Sequence, residues 1–374
     1  MRPPAFVPAR WLPGPHAQTL GARLLRTRHG VVLRRERVEL PDGDFVDLDW
    51  AEGVGPTVRR SGAPLVLVLH GLEGSARSGY ALELYRQLGS VGLSAVGLNF
   101  RSCSGELNRA ARLYHSGDTG DLAYVVEWLA RRFPGRPLGA VGFSLGGNVL
   151  LKYLVESRAH DAPRPSSSLL ASPRPGTGGR SDGIAVAAAV SVPFDLSAGA
   201  DGLEQGFGRL YRRYLVTKLQ RKVAGKAHVL AARIAVPQAL AARTFREFDD
   251  VATAPLHGFR DAEDYYWRSS SGPLLAGIRV PTLLVHSLDD PFLPRSAVPD
   301  GAARSNAAIT TVFTERGGHV GFVSGPPWSP VFWAERQVAA FLSHHLSTRT
   351  VDSDGARATA ERSAPAGTRD PVDA

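Results

Sequence analysis

The chain has 374 residues, enough to bury a large core, and its 43% hydrophobic and 21% charged residues are ordinary for a globular protein. Its formal charge is +9 and its pI about 10.0, but no basic run interleaved with aromatics, no zinc-ligand spacing and no G-x-x-x-x-G-K phosphate loop accompanies that excess. This argues against nucleic-acid, metal and nucleotide binding. Lysine stands at only four positions (Lys152, Lys218, Lys222, Lys226), so the excess is arginine on a solvated surface, with room for weak peripheral contact with anionic lipid.

Residues 1–30 are Pro- and Arg-rich and read as an irregular arm packed on the body. Met1–Pro8 lacks the apolar stretch of a signal peptide. Val31–Leu40 and Phe45–Trp50 alternate around Pro41-Asp42-Gly43-Asp44 and predict a β-hairpin. Leu65–Leu69 is an apolar run that predicts a buried strand, and it leads into His70-Gly71-Leu72-Glu73-Gly74. A helix over Tyr80–Gly89, a strand over Ser94–Phe100, a polar loop over Arg101–Gly117 and an amphipathic helix over Asp118–Phe133 follow. The loop holds the lone cysteine, Cys103, which rules out internal disulfides and fits a reducing, cytoplasmic setting. With no base motif beside it, Cys103 reads as a small packed residue.

A strand then ends in Gly142-Phe143-Ser144-Leu145-Gly146, and a helix begins at once and runs to about Glu156. Residues 160–183 are rich in Pro, Ser and Gly and read as a flexible insertion. Ile184–Val192 predicts a further core strand. Asp195–Arg260 is helix-forming without strands and predicts a helical cap at about 195–260; the Tyr265-Tyr266-Trp267 cluster after it reads as packing. Strands over Pro281–His286 and Ala308–Phe313 precede an amphipathic helix that closes with His344 and His345. The polar stretch 349–374 reads as a disordered tail. The alternation predicts one α/β domain over 1–348, a mostly parallel sheet flanked by helices. No run of about 18 apolar residues predicts a membrane span.

Three of these segments carry chemistry. A G-x-S-x-G between strand and helix is the pattern of a nucleophile elbow: the turn is too tight for Cβ atoms two residues from the serine, and the helix N-terminus favours developing negative charge. An acid after a late strand, in Ser287-Leu288-Asp289-Asp290-Pro291, falls at the carboxyl edge of the sheet; Asp290 is preferred and Asp289 is the alternative. His319, in Arg316-Gly-Gly-His319-Val-Gly-Phe322, lies in a glycine loop after the last strand, whereas His344 and His345 suit a helix C-terminus. A serine needs a base, imidazole titrates near neutrality, and an acid orients the ring. The expected oxyanion donors are the amides of Leu145, next to the serine, and of Leu72 in the first strand's loop.

With these motifs on the page, the chain resembles the YheT-like branch of α/β hydrolases, which includes proteins acting on acyl and lipid esters. Pro15-His16-Ala-Gln18-Thr19, Asp42-Gly43-Asp44, His70-Gly71-Leu72-Glu73-Gly74-Ser75, Asn99–Asn108 and Tyr114-His115-Ser116-Gly117-Asp118 carry the resemblance. So do Gly142–Asn148, Asp289-Asp290-Pro291 and Gly317–Phe322. It covers roughly 10–345, outside the insertion and the tail. It implies an α/β-hydrolase fold and a cofactor-independent serine esterase with Ser144, Asp290 and His319 at the catalytic positions. Its partner is a small acyl ester, with no metal and no nucleic acid. Ser102 stands where the family carries glycine. His115 reads as a structural histidine, and Arg101 as an anchor to a carboxylate such as Asp121. The alternatives are an acyltransferase using the same acyl-enzyme and a non-catalytic lipid-binding protein. Oligomeric state, acyl length and alcohol moiety have no sequence signal.

Overall fold

Alternating and continuous apolar runs build one large sheet, and its strand order decides where chemistry can sit. In a computed structural model, which describes residues 5–27, 29–54, 63–161 and 183–362, eight strands stand in the order β1-β2-β4-β3-β5-β6-β7-β8. They are β1 (Val32–Glu39), β2 (Phe45–Glu52), β3 (Leu65–Leu69), β4 (Ser94–Asn99), β5 (Leu138–Phe143), β6 (Ile184–Val190), β7 (Thr282–Ser287) and β8 (Ile309–Thr314). The predicted hairpin forms: β1 pairs antiparallel with β2, and β2 with β4. All other pairings in this sheet are parallel.

Both faces of the parallel part are covered, so its strands are apolar without alternation. Leu65, Leu67 and Leu69 point into one core with α3 (Gly120–Arg132) and α4 (Leu145–Asp161). Val66 and Val68 point into the other, with α2 (Gly79–Ser90) and the C-terminal helix. The chain goes from β3 to β4 on one side, then returns to β5 on the other. The carboxyl ends of β3 and β5 are therefore neighbours at a topological switch point, with Leu69 opposite Gly142.

Two segments differ from the sequence reading. The Pro-rich arm contains a helix, α1 (Gly14–Leu25), because Pro15 falls in the first turn, where its missing N–H costs nothing. The C-terminal helix runs from Trp333 to Arg362, so residues 349–362, read as disordered tail, continue it; their Ala and Arg content favours helix without an apolar stripe. Residues 363–374 of that tail, and 162–182 of the predicted insertion, lie outside the described residues. Between β6 and β7, a series of helices includes α5 (Leu196–Gly202) and the longer α6 (Gly208–Gly225), with its own apolar cluster. No helix among the described residues is long and apolar enough to cross a membrane.

Candidate active site

The turn after β5 places Ser144 at a φ of 51°, with its amide hydrogen-bonded to the Val190 carbonyl at 2.8 Å. The glycines around it are steric requirements. A Cβ on Gly146 would lie 2.6 Å from the His70 carbonyl oxygen, and one on Gly142 would lie 2.5 Å from the Gly147 Cα.

Asp290 and His319 come to Ser144 from two other loops. His319 Nε2 lies 2.9 Å from Ser144 Oγ, and His319 Nδ1 lies 2.8 Å from Asp290 Oδ2. The Asp290 carboxylate is wholly buried. It accepts at Nδ1, so Nε2 is left to accept the serine proton. Phe292 stacks on the imidazole at 4.0 Å and holds the ring plane. An imidazole placed between a hydroxyl and a carboxylate can take the hydroxyl proton as the oxygen attacks.

Asp289 has a different position. Its carboxylate accepts from the Gly318 amide at 2.9 Å and from the Ser287 hydroxyl, so it shapes the loop that carries His319. His344 and His345 lie far along the C-terminal helix, which packs against α2, β5, β6 and β7.

Among the described residues, the Leu72 and Leu145 amides donate to no backbone carbonyl in the turns and loops, and both residues border the same cavity as Ser144. The loop that carries Leu72 is tightly held. The Tyr80 hydroxyl accepts from the Gly71 amide at 2.9 Å, and the Tyr114 hydroxyl from the Glu73 amide at 2.7 Å. His70 supports the same turn from beneath. Its Nδ1 donates to the Gly71 carbonyl at 2.7 Å, and its Nε2 accepts from the Phe100 amide at 3.1 Å. Burial pushes its pKa down to about 3, so the ring is neutral in the one tautomer that makes both bonds.

Three groups without a motif signature also hold the site. Thr19 Oγ1 accepts from the His319 amide at 2.9 Å, and the Gln18 carboxamide pairs with both the amide and the carbonyl of Val323. Ser191 Oγ accepts from the Val320 amide at 2.9 Å. Gln18 and Thr19 belong to a polar string in a Pro-rich arm, where sequence periodicity shows no partner 300 residues away. Thr19→Val keeps the shape and deletes the acceptor. Unfolding in denaturant should then show a loss of about 1–3 kcal/mol, the usual cost of a buried amide left unpaired. A variant as stable as the parent would mean that the His319 loop does not depend on α1.

The cavity above Ser144 has a volume of about 890 Å³ and is roofed by the helices between β6 and β7. Leu196, Leu203, Leu219 and Phe245 give it an apolar wall. At one side stand His115, Ser116, Tyr265, Tyr266 and Asp249. Burial lifts the Asp249 carboxyl to about 6, although Thr253 and Tyr266 donate to it. His115 therefore borders the cavity, but its Nδ1 accepts from the Gly117 amide and its pKa is lowered by burial to about 3. Tyr265 and Tyr266 are buried wall residues, and Trp267 is exposed. Cys103 also borders the cavity, with Lys222 Nζ 2.9 Å from its sulfur; burial pushes the thiol pKa up.

The remaining sequence strings form the support. Arg101 donates to both Asp121 oxygens at 2.7 and 2.6 Å, and to Asp42 and Asp44 at 2.7 Å each. Ser102 has a φ of 62°, the left-handed conformation that suits glycine. Its hydroxyl donates to Asn108 Oδ1 at 2.6 Å and accepts from the Asn108 amide, which holds it there.

Residues 64–326 match the family model described as alpha/beta hydrolase fold. The chain is 38% identical over 347 residues to YheT of Escherichia coli K12, named as a candidate esterase; the match covers 92% of this chain and 95% of that protein. It is 31% identical over 323 residues to the mouse phospholipase ABHD3, covering 86% of this chain and 74% of that protein. Among solved structures, the Pyrococcus furiosus esterase Pf2001 superposes with a TM-score of 0.51 at 16% identity, over 92% of this chain and 99% of that one. That last likeness concerns the fold alone.

Proposed function

We propose, for a chain that belongs to the YheT-like branch of the α/β-hydrolase fold family, that it is a serine carboxylic-ester hydrolase working through an acyl-enzyme on Ser144. The observation that carries this reading is the unbroken hydrogen-bond line from Asp290 through His319 to Ser144 Oγ, beneath a cavity bordered by two amides that have no turn or loop carbonyl as acceptor among the described residues.

In the first step His319 Nε2 takes the serine proton as Oγ attacks the ester carbonyl. Asp290 stabilises the imidazolium through Nδ1. The Leu72 and Leu145 amides hold the developing oxyanion, donors of a kind worth about 10²–10³ in rate each. The imidazolium then gives its proton to the leaving alcohol. Water, deprotonated by the same ring, releases the acid and restores the serine.

The cavity wall suits an uncharged or zwitterionic acyl ester of modest length, lying beneath the helices of 195–260 as a cap. No step calls for a metal or a cofactor. The test is a fluorophosphonate probe followed by mapping of the modified residue, then a chain-length series of p-nitrophenyl esters with and without EDTA. Modification at Ser144 alone, and turnover indifferent to EDTA, are the expected results. Modification elsewhere, or activity abolished by EDTA and restored by a divalent ion, would overturn the reading.

A further inference from the structure

The cavity opens where its bordering residues are exposed. All of them but Arg77 gather on α1 and on α6 with its N-cap, at Leu20, Arg23, Phe207, Leu210 and Tyr214. The two helices form one continuous rim. His16 Nδ1 lies 3.2 Å from the Tyr211 hydroxyl, and Arg23 donates to the Tyr214 hydroxyl at 2.9 Å.

This rim is apolar and basic at once. Leu24, 83% exposed, and Leu210, 57% exposed, stand beside Leu20, Phe207 and Tyr214. These are five of the twelve large hydrophobic side chains exposed among the described residues. Neither α1 nor α6 contains an Asp or Glu. Arg23, Arg209, Arg213, Lys218 and Arg221 make no ion pair among the described residues: Arg23 and Lys218 use a hydroxyl and the Glu73 carbonyl instead. A structural role for these cations would have given them carboxylates, as it does for Arg101, Arg212 and Lys222.

We propose that this rim docks on an anionic lipid bilayer, so that the cavity mouth faces the membrane. Leucine and aromatic side chains enter the headgroup boundary, and the unpaired arginines and lysine meet lipid phosphates. An acidic protein partner would account for the charge. It would not account for apolar side chains that continue inward as the wall of the cavity. A lipid surface accounts for both, because an acyl chain leaving the bilayer at this rim passes from one apolar surface to the next without crossing water.

The experiment is co-sedimentation of the full chain with vesicles of phosphatidylcholine alone and of an equimolar phosphatidylcholine–phosphatidylglycerol mixture, at low and high salt. This readout needs no turnover, so it is separate from the test of Ser144. The expected result is binding to the mixed vesicles only, weakened by salt. The double variant Leu24→Glu, Arg213→Glu, whose positions do not border the cavity, should bind about tenfold less or weaker still, with unchanged turnover of a water-soluble p-nitrophenyl ester. Equal binding to both vesicles, or a double variant that binds like the parent, would refute the proposal. So would an absence of binding. If the parent then ran as a dimer and the double variant as a monomer, the face would belong to a second copy of the chain.

Discussion

Ser144→Ala is expected to lower kcat by about 10⁴-fold or more, because the members of such a relay act as a unit and the rate remaining comes from binding and the oxyanion donors alone. The fold should be indifferent to the change. The Ser144 amide and carbonyl keep their bonds to Val190, Gly147 and Asn148, and only the hydroxyl facing His319 is lost. The measurements are kcat on a p-nitrophenyl ester and thermal unfolding of parent and variant. An intact melting transition with activity gone is the predicted pair. A variant with more than a tenth of the parent's kcat would remove Ser144 from the mechanism, and loss of both properties would make the serine structural.

The second large effect is on stability. Arg101 is buried and its guanidinium holds Asp42, Asp44 and Asp121 together. It thereby ties the turn between β1 and β2 and the first turn of α3 to the loop after β4. The Asp44 carboxylate resists burial only because Asn108, the amides of Arg109 and Phe45, and Arg101 itself donate to it, which holds its pKa at about 2. Lys226, at the end of α6, closes the network on Asn108 and on the Ala110 and Arg112 carbonyls. Arg101→Met fills the same space with an apolar chain and leaves three carboxylates facing one another. Removing one partner of a buried ion pair costs about 3–5 kcal/mol, so the denaturant midpoint should fall by that equivalent with an unchanged slope. A loss below about 1 kcal/mol would show that the carboxylates repair themselves by protonation or by taking up water.

The sheet and the meeting of Ser144, Asp290 and His319 were legible because local chemistry marks them. Tight turns demand glycine at 142 and 146, continuous apolar runs demand burial on both faces, and an acid or base after a late strand falls on the same sheet edge. Spacing alone does not separate Asp290 from Asp289. Their difference lies in which carboxylate reaches the ring and which reaches the Gly318 amide, a matter of loop conformation. Ser102 takes the left-handed backbone that suits glycine, and Asn108 holds it there. α1 was read as irregular because its contributions are long-range: Gln18 and Thr19 have no local periodic signal, and their partners are Val323 and His319. The rim of α1 and α6 was invisible for the same reason, since two helices far apart in sequence share it.

The bond between Thr19 and His319 spans 300 residues, and that has a consequence for biosynthesis. A chain that leaves the ribosome from its N-terminus makes α1 before the sheet and must wait for all eight strands before the loop that α1 secures exists. Contacts of such separation close late and slowly. Hydrolytic competence should therefore arrive in a single step once the His319 loop has emerged, not grow with chain length, and a nascent chain released before residue 319 would carry Ser144 without the His319 imidazole.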